Sequence, residues 1–194
     1  MTTIFKSMLL LFLLNNNTLY ALEENWYAFI SFGFANHKYS EPLESQIKGR
    51  SSIIRRSQFA MDRIAFYSNL HNYNTIAGPI ITQTIDSFSE SGTSYFDMYH
   101  FLYGGSIVKS SGSEPGNSFF VKLDTGVAHS FRDGALKQTV LKRLGKWGFG
   151  INASFGYGLP ITDGSKLLFC LGLAYKSIEF NEYFALIYHL GVLW

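Results

Sequence analysis

The sequence has little cysteine, little charge and no obvious cofactor motif. Cys170 is the only cysteine, so an intrachain disulfide, a Cys-rich metal site and a CxxC redox pair are all excluded, and we expect it to be a small apolar filler. Charged residues make up 15% of the 194 residues, and the formal net charge is only +2. A nucleic-acid partner would need a concentrated basic stripe, and none is present. Spacings typical of nucleotide, zinc or calcium sites are also missing, so no cofactor is predicted.

The sequence also has no apolar run of the roughly 20 residues that a membrane-spanning helix needs. The strongest apolar run, Met8 to Leu14, is short, follows Lys6 and ends at three asparagines. A positive residue, a short apolar region and a small residue at Ala21 are typical of a secretory signal peptide. We therefore predict a cleavable signal peptide over residues 1–21 and one domain over residues 22–194.

Aromatic and small residues are abundant instead. Aromatics reach 17% of the chain, with 18 Phe and 12 Tyr, beside 18 Gly. In membrane β-barrels aromatic residues form girdles at the two lipid interfaces, and glycines ease strand curvature. This composition favours an all-β membrane barrel, although soluble β domains can share it.

Alternation of residue types in the second half of the chain indicates which face of each strand is apolar. In the segment 147–159, one face of the predicted strand carries only Gly, Asn and Ser. The opposite face carries large apolar residues such as Trp147, Phe149 and Ile151. A face without apolar side chains cannot form a hydrophobic core. The apolar side is therefore predicted to be the outside. The last segment, 182–194, alternates in the same way and ends on Trp194.

The same pattern and the turn signals predict about eight antiparallel strands. The inward and outward faces can be assigned for every strand except strands two to four. In strand two, Asp62 beside Arg63 requires a bulge or a polar residue in the lipid face. In strand three, Pro79 requires a bulge or a local disruption of the sheet. The longer loops are expected at 40–57, 87–93 and 131–145. The predicted strands are Trp26–Tyr39, Gln58–Ser68, Thr75–Ile85, Tyr95–Val108, Phe119–Ala128, Trp147–Leu159, Leu167–Lys176 and Glu182–Trp194.

This layout resembles the small bacterial outer-membrane β-barrels of the OmpA and OmpX kind and the outer membrane protein β-barrel domain family, over about Trp26 to Trp194. The resemblance implies a closed up-and-down barrel in a Gram-negative cell envelope, with the first strand paired to the last and both termini in the periplasm. It also implies that the terminal strand is a signal read by the outer-membrane insertion machinery. The residues of that signal are Tyr188, Leu190, Val192 and Trp194.

A barrel of about eight strands has an interior just wide enough to be filled by side chains. Buried charges must pair, so the inward polar residues are expected to form one network, with Asp62 as a further candidate. The main interpretation is a structural plug, and the alternative is a narrow proton or ion path. The predicted network comprises Lys122, Asp124, Asn152, Lys176 and His189.

Cations in the first and third loops could bind the phosphates of lipopolysaccharide in the outer leaflet, or they could simply be solvated. An extracellular ligand is not identified by the sequence. The candidate lipopolysaccharide contacts are Arg50, Arg55, Arg56, Lys137, Lys142 and Arg143.

A catalytic function is not predicted. His129 and Ser130 invite comparison with lipid-modifying outer-membrane enzymes, but neighbouring strand residues face opposite sides and cannot form a nucleophile–base pair. A secreted, lipocalin-like binding barrel would need apolar side chains inside, which the segment 147–159 contradicts. The prediction is therefore an outer-membrane barrel with a structural or surface-interaction role.

Overall fold

The structure is a computed structural model, and it describes residues 26–41, 43–49, 53–70, 74–90, 94–134, 147–162, 164–178 and 181–194. The predicted signal peptide lies outside these residues. Eight strands form one closed barrel in sequence order, and every neighbouring pair is antiparallel. The predicted all-β, up-and-down barrel is therefore confirmed.

The strands are longer than the sequence suggested, and one short helix lies between the first two. The elements are β1 Trp26–Tyr39, α1 Leu43–Lys48, β2 Ile53–Leu70, β3 Thr75–Glu90, β4 Ser94–Ser110, β5 Ser118–Gly134, β6 Trp147–Pro160, β7 Lys166–Ile178 and β8 Asn181–Leu193. β2 has 18 residues and β8 has 13, so the wall is taller on one side.

The barrel closes between β1 and β8, as the resemblance implied. The register runs from Phe29 opposite Leu193 to Tyr39 opposite Tyr183. The last residue is also held, because Ala28 and Trp194 exchange two backbone hydrogen bonds of 2.8 and 3.1 Å. We call the end of the barrel with Trp26 and Trp194 the terminus end, and the opposite end the loop end.

The apolar faces of the strands point away from the barrel axis. Phe149 and Phe155 are 52% and 53% exposed, whereas Gly150 and Asn152 on the alternate positions are buried. Outward apolar and aromatic residues on the other strands continue this belt around the barrel. Exposing so much apolar surface to water is unfavourable, whereas contact with lipid is not. The belt therefore indicates a membrane-spanning wall. None of the helices in the described residues is long and apolar enough to cross a membrane.

Two irregularities in β2 explain why its phase was unreadable from the sequence. The β2–β3 register shifts between Arg55 and Ser57, and again between Asp62 and Ile64. The β1–β2 register shifts at the second place too. Each shift exchanges the inward and outward positions, so no single alternation fits the strand. The second shift buries Asp62 and leaves Arg63 and Ile64 on the outside.

One boundary of each of the three predicted loops is wrong because the strands continue past the apolar belt. Residues 87–90 belong to β3, so the expected second loop does not begin at residue 87. Residues 53–57 belong to β2, and residues 131–134 belong to β5. Polar residues in these extensions looked like loop sequence, although their backbones pair with neighbouring strands.

Pro79 lies on the outer surface of β3 without displacing the register. The β2–β3 ladder pairs Ala65 with Ile80 and Ser68 with Ala77, and Phe66 and Tyr67 have no ladder partner there among the described residues. The disruption is thus confined to one side of β3, because pairing with β4 continues through Pro79 and Gly105.

Helix α1 packs against the barrel at the loop end. Glu44 accepts a hydrogen bond of 3.0 Å from the Tyr39 amide and pairs with Lys48 at 2.9 Å, which ties the helix to the last residue of β1. Ile47 packs against the apolar residues inside this end. The segment between β1 and β2 therefore contains a docked element.

The interior has two apolar clusters. The terminus-end cluster centres on large side chains such as Phe29, Tyr67 and Phe120, and it includes Cys170 as predicted filler. The loop-end cluster combines Phe88, Met98 and Tyr183 with several alanines. Polar side chains occupy the space between and around them.

Candidate functional site

The polar residues of the interior fall into two groups, where the sequence analysis predicted one network. The central cluster consists of Ser31, Asp62, Thr82, Lys122, Asp124, Asn152 and His189. The mouth cluster lies nearer the loop end and consists of His37, Tyr39, Arg55, Gln58, Asp86, His100, Ser130 and Lys176.

Lys122 contacts both carboxylates of the central cluster. Its Nζ lies 2.8 Å from Asp124 Oδ2 and 3.1 Å from Asp62 Oδ2. Lys122 and Asp124 share a face of β5 because they are two residues apart, whereas Asp62 reaches them only because of the register shift in β2. All three are almost fully buried. A buried ammonium held by two carboxylates fixes the packing across the barrel.

Asn152 and His189 extend the central cluster to the other side of the barrel. Asn152 Nδ2 lies 3.4 Å from both Asp124 Oδ2 and Thr82 Oγ1. His189 Nδ1 is 3.1 Å from Ser31 Oγ and 3.7 Å from Asp62 Oδ2. The cluster therefore links β1, β2, β3, β5, β6 and β8 through side chains.

The mouth cluster is built on Asp86. Its Oδ2 accepts a hydrogen bond of 2.9 Å from the Tyr39 hydroxyl and lies 3.1 Å from Arg55 Nη2. Arg55 Nη1 also donates to the His37 carbonyl at 3.3 Å. This arginine therefore crosses from β2 to β1 at a height where the two strands have no ladder pairing among the described residues.

A chain of hydrogen bonds continues from Tyr39 to Ser130. Since the Tyr39 hydroxyl donates its proton to Asp86, it accepts from Nε2 of His100 at 3.1 Å. A neutral His100 then leaves Nδ1 free to accept from Ser130 Oγ at 2.6 Å. This is nucleophile–base geometry, but both residues are almost fully buried. A substrate could not reach Ser130 in this arrangement.

Lys176 lies in the mouth cluster, away from the aspartates with which the sequence analysis grouped it. Its Nζ donates to the His100 carbonyl at 3.1 Å and stands 5.3 Å from the centre of the Tyr183 ring. β7 carries it on the inward face beside Ala174, where no acidic residue is within hydrogen-bond distance among the described residues. The two clusters then hold three carboxylates and three cationic side chains in addition to their histidines: Asp62, Asp86 and Asp124 against Arg55, Lys122 and Lys176.

The candidate lipopolysaccharide contacts have three different placements. Arg55 points into the barrel and pairs with Asp86, so its assignment to an exposed loop is wrong. The register shift after Arg55 turned this side chain inward. Arg56 is exposed on the outer surface of β2. Arg50, Lys137, Lys142 and Arg143 lie outside the described residues.

The terminal signal residues are arranged as the sequence pattern requires. Tyr188, Leu190 and Trp194 are each about half exposed on the outer surface, and Val192 lies on the same face. Their alternates, among them His189 and Leu193, point inward. The structure thus describes the shape of this strand, whereas its recognition by insertion machinery stays a prediction.

Sequence reasoning missed most of the mouth cluster. His37, Asp86, His100 and Ser130 were not singled out as inward polar residues. The signal was present in β4, where His100 alternates with Met98 and Leu102, but the dense aromatics on both faces obscured its phase. The prediction that His129 and Ser130 face opposite sides is confirmed, because the His129 ring stacks on outward Trp147 at 4.4 Å while Ser130 is inside.

The described residues contain no group of three or more His, Cys, Asp or Glu side chains arranged to hold a metal ion. The space at the terminus end is filled by the side chains of the terminus-end cluster. The interior as described is therefore a packed core with two polar layers.

Comparison with solved structures agrees with this architecture. The barrel is similar to Ail, the attachment invasion locus protein of Yersinia pestis, in complex with the heparin analogue sucrose octasulfate, with a TM-score of 0.55 and 11% identity over 88% of this chain and 99% of that one. The chain has the fold of small outer-membrane barrels. Neisserial surface protein A matches this barrel with a TM-score of 0.53 and 12% identity, over 87% and 95% of the two chains.

The outer-membrane barrel fold is not tied to one activity. No family model matches the sequence, and no curated protein matches it. Function must therefore be argued from the residues of this barrel.

Proposed function

We propose that the protein is an integral outer-membrane barrel that acts through its surface at the loop end, without a pore and without catalysis. The observation that carries this proposal is a filled, charge-balanced interior inside an apolar outer belt. An interior of this kind holds the wall rigid and offers no continuous path. The part of the molecule left to meet partners is the loop end.

The loop end extends beyond what is needed to cross a bilayer. A transmembrane strand needs about 9–11 residues, whereas β2, β3, β4 and β5 have 18, 16, 17 and 17. Outward residues of these extensions include Asp97 and Arg56, which are typical of a surface beyond the lipid. The extended wall can therefore present the first and third connecting segments above the membrane.

Export and assembly follow from the same proposal. Residues 1–21 would direct secretion and be removed, leaving residues 22–194 as the barrel domain. Tyr188, Leu190, Val192 and Trp194 would be presented to the insertion machinery on the outer face of β8. The exposed positions of these residues support that role.

The catalytic alternative rests on the hydrogen bond between His100 and Ser130. We propose a structural role for this pair, because both side chains are enclosed and the Tyr39 hydroxyl already engages Nε2 of His100. The bond then holds β4 to β5 inside the mouth cluster. A lipid-modifying activity would require this end of the barrel to open.

For the surface role we propose that lipopolysaccharide phosphates bind Arg50, Arg56, Lys137, Lys142 and Arg143. Charge-assisted hydrogen bonds from arginine to phosphate are strong and directional. Ail, which shares the fold, was solved with a sulfated heparin analogue. That complex supports polyanions as a class of ligand to test here. Arg55 is not included among the contacts because it pairs with Asp86 inside the barrel.

The experiment compares the wild type with a variant in which these five cations are replaced by glutamine. Both proteins are folded into neutral vesicles, and the binding of purified lipopolysaccharide is measured by sedimentation. We expect at least a tenfold loss of affinity, which corresponds to about 1.4 kcal/mol. The control is Lys109→Gln, which removes an exposed cation near the terminus end. Equal binding by wild type and the fivefold variant would refute the proposed contact.

A further inference from the structure

Arg63 is a cation on the apolar outer surface of the barrel. It lies near the middle of β2, and its side chain is exposed beside Ile64 and Phe66, which are themselves about half exposed. The register shift between Asp62 and Ile64 places it there. An arginine that faces lipid at this height is costly unless something compensates its charge.

The described residues supply only weak compensation. The guanidinium carbon of Arg63 stands 5.8 Å from the centre of the Phe101 ring, and no carboxylate is within salt-bridge distance in the described part of the chain. A cation–π contact near a surface contributes little compared with an ion pair in lipid. The positive charge of Arg63 is therefore left largely unbalanced by this part of the protein.

Gln83 is a second polar side chain at this place in the apolar belt. It lies on the outer face of β3, between Met61 on β2 and Phe101 on β4. Its side chain is only 3% exposed, yet Oε1 has no hydrogen-bond partner among the described residues. A buried amide oxygen without a donor is unfavourable. Arg63 and Gln83 thus form a polar notch in the apolar belt.

A groove begins at Arg63, on the side of the notch that faces β1. It has a volume of about 520 Å³ and follows the irregular β1–β2 seam across the outer face towards β8 and β7. Its size is that of a small-molecule site. Its apolar lining comes from Ile30, Phe32, Met61, Leu167, Leu190 and Val192.

We propose that this notch and groove bind one anionic phospholipid, with the phosphate at Arg63 and an acyl chain along the groove. Phosphate supplies a negative charge beside Arg63, which the described residues do not provide, and it can accept charge-assisted hydrogen bonds from the guanidinium. A single narrow groove fits a phospholipid better than a glycolipid with many acyl chains.

This lipid site rests on the proposed function, because it requires that the barrel wall spans a membrane, and it adds a ligand to that function. The test uses native mass spectrometry of the full barrel released from micelles that contain phosphatidylglycerol or phosphatidylcholine. We expect the wild type to retain one phosphatidylglycerol and to lose phosphatidylcholine. Arg63→Gln should reduce the fraction of barrels that carry the lipid about tenfold, and Arg63→Lys should lose less.

A second pair of variants separates the acyl chain from the charge. Ile30→Trp fills the groove and leaves Arg63 in place, and it should reduce retention as Arg63→Gln does. Leu123→Trp adds the same bulk on the outer face of β5, away from the groove, and should leave retention unchanged.

Several outcomes would overturn the site. These are equal retention of both lipids, retention of phosphatidylglycerol by Arg63→Gln, preferential retention of lipid A, or a second copy of the chain in place of the lipid. Gel migration that changes on heating checks that each variant is a folded barrel. A wild type that fails to fold in micelles at all would refute the membrane wall itself, whereas a folded barrel without selective retention refutes only the lipid site.

Discussion

At the scale of single residues, the buried charge of Lys122 offers the sharpest test of the interior. Lys122→Met would leave Asp62 and Asp124 buried beside each other without the ammonium that lies 3.1 and 2.8 Å from them. Removing one partner from a buried ion pair typically costs about 3–5 kcal/mol, because the remaining charge stays uncompensated. We expect a loss of this size in urea unfolding of the barrel in neutral vesicles, followed by tryptophan fluorescence.

The matched control for Lys122 is Lys109→Met, which removes an exposed lysine near the end of β4. It should change stability by less than about 1 kcal/mol. Replacing Lys122, Asp62 and Asp124 together by Met, Asn and Asn should recover part of the loss, because no unpaired buried charge remains. A Lys122→Met barrel as stable as the wild type would show that the central cluster does not hold the wall.

The inward positions of Lys122, Asp124, Asn152, Lys176 and His189 follow from simple alternation in strands without register shifts. Asp62 could be proposed only as a candidate, because its side depends on the extra residue in β2. Arg55 was assigned to a loop because it lies in the polar stretch 40–57, and the register shift after it explains why its side chain faces inward. Alternation predicts a side chain's face only as long as the count along the strand is unbroken.

At the scale of elements, helix α1 depends on Glu44 for its contact with β1. Burial alone would raise the pKa of the Glu44 carboxyl, but its hydrogen bonds to Lys48 and to the Tyr39 amide outweigh this and lower the pKa below its ordinary value. A lowered pKa in the folded state means that docking is favoured above the ordinary pKa and weakens as the pH falls through the lowered one. Glu44→Gln should therefore loosen α1 at neutral pH.

The measurement for α1 is hydrogen exchange of the Tyr39 amide, which donates to Glu44. We expect faster exchange in Glu44→Gln than in the wild type at pH 7, and a smaller difference once the pH has fallen through the lowered pKa of the wild-type carboxyl. Glu41→Gln is the control, since the Glu41 side chain bonds only within its own segment, to Ser45, among the described contacts. Unchanged exchange at Tyr39 would mean that α1 is held by Ile47 instead.

The bounds of β1, β4, β6, β7 and β8 could be predicted to within two residues, whereas β2, β3 and β5 extend five or six residues further towards the loop end than predicted. β6 alternates Gly, Asn and Ser with large apolar residues, so its two faces differ maximally. β3 and β4 carry polar or aromatic residues on both faces, such as Gln83 outside and His100 inside. Helix α1 has only six residues, which is too short for a periodic signal.

At the scale of the whole molecule, the apolar belt and the filled interior together predict a barrel that does not conduct. Phe29, Tyr67 and Phe120 pack together inside the terminus end, and Ile47 of α1 packs against the loop-end cluster. The charges inside balance, so no ring of one sign is available to select an ion. An eight-stranded barrel has no space left once its side chains are packed.

Planar-bilayer recordings test this directly. We expect no discrete conductance steps from wild-type protein, in low or high salt, at applied potentials that a bilayer tolerates. Insertion must be shown in the same preparation, by heat-modifiable gel migration of the reconstituted protein. Reproducible single-channel steps from that preparation would contradict the plug and favour a path through the central cluster. Loss of the steps in Lys122→Met would then locate the path beside Asp62 and Asp124, because those carboxylates are the charged groups that an ion would meet there.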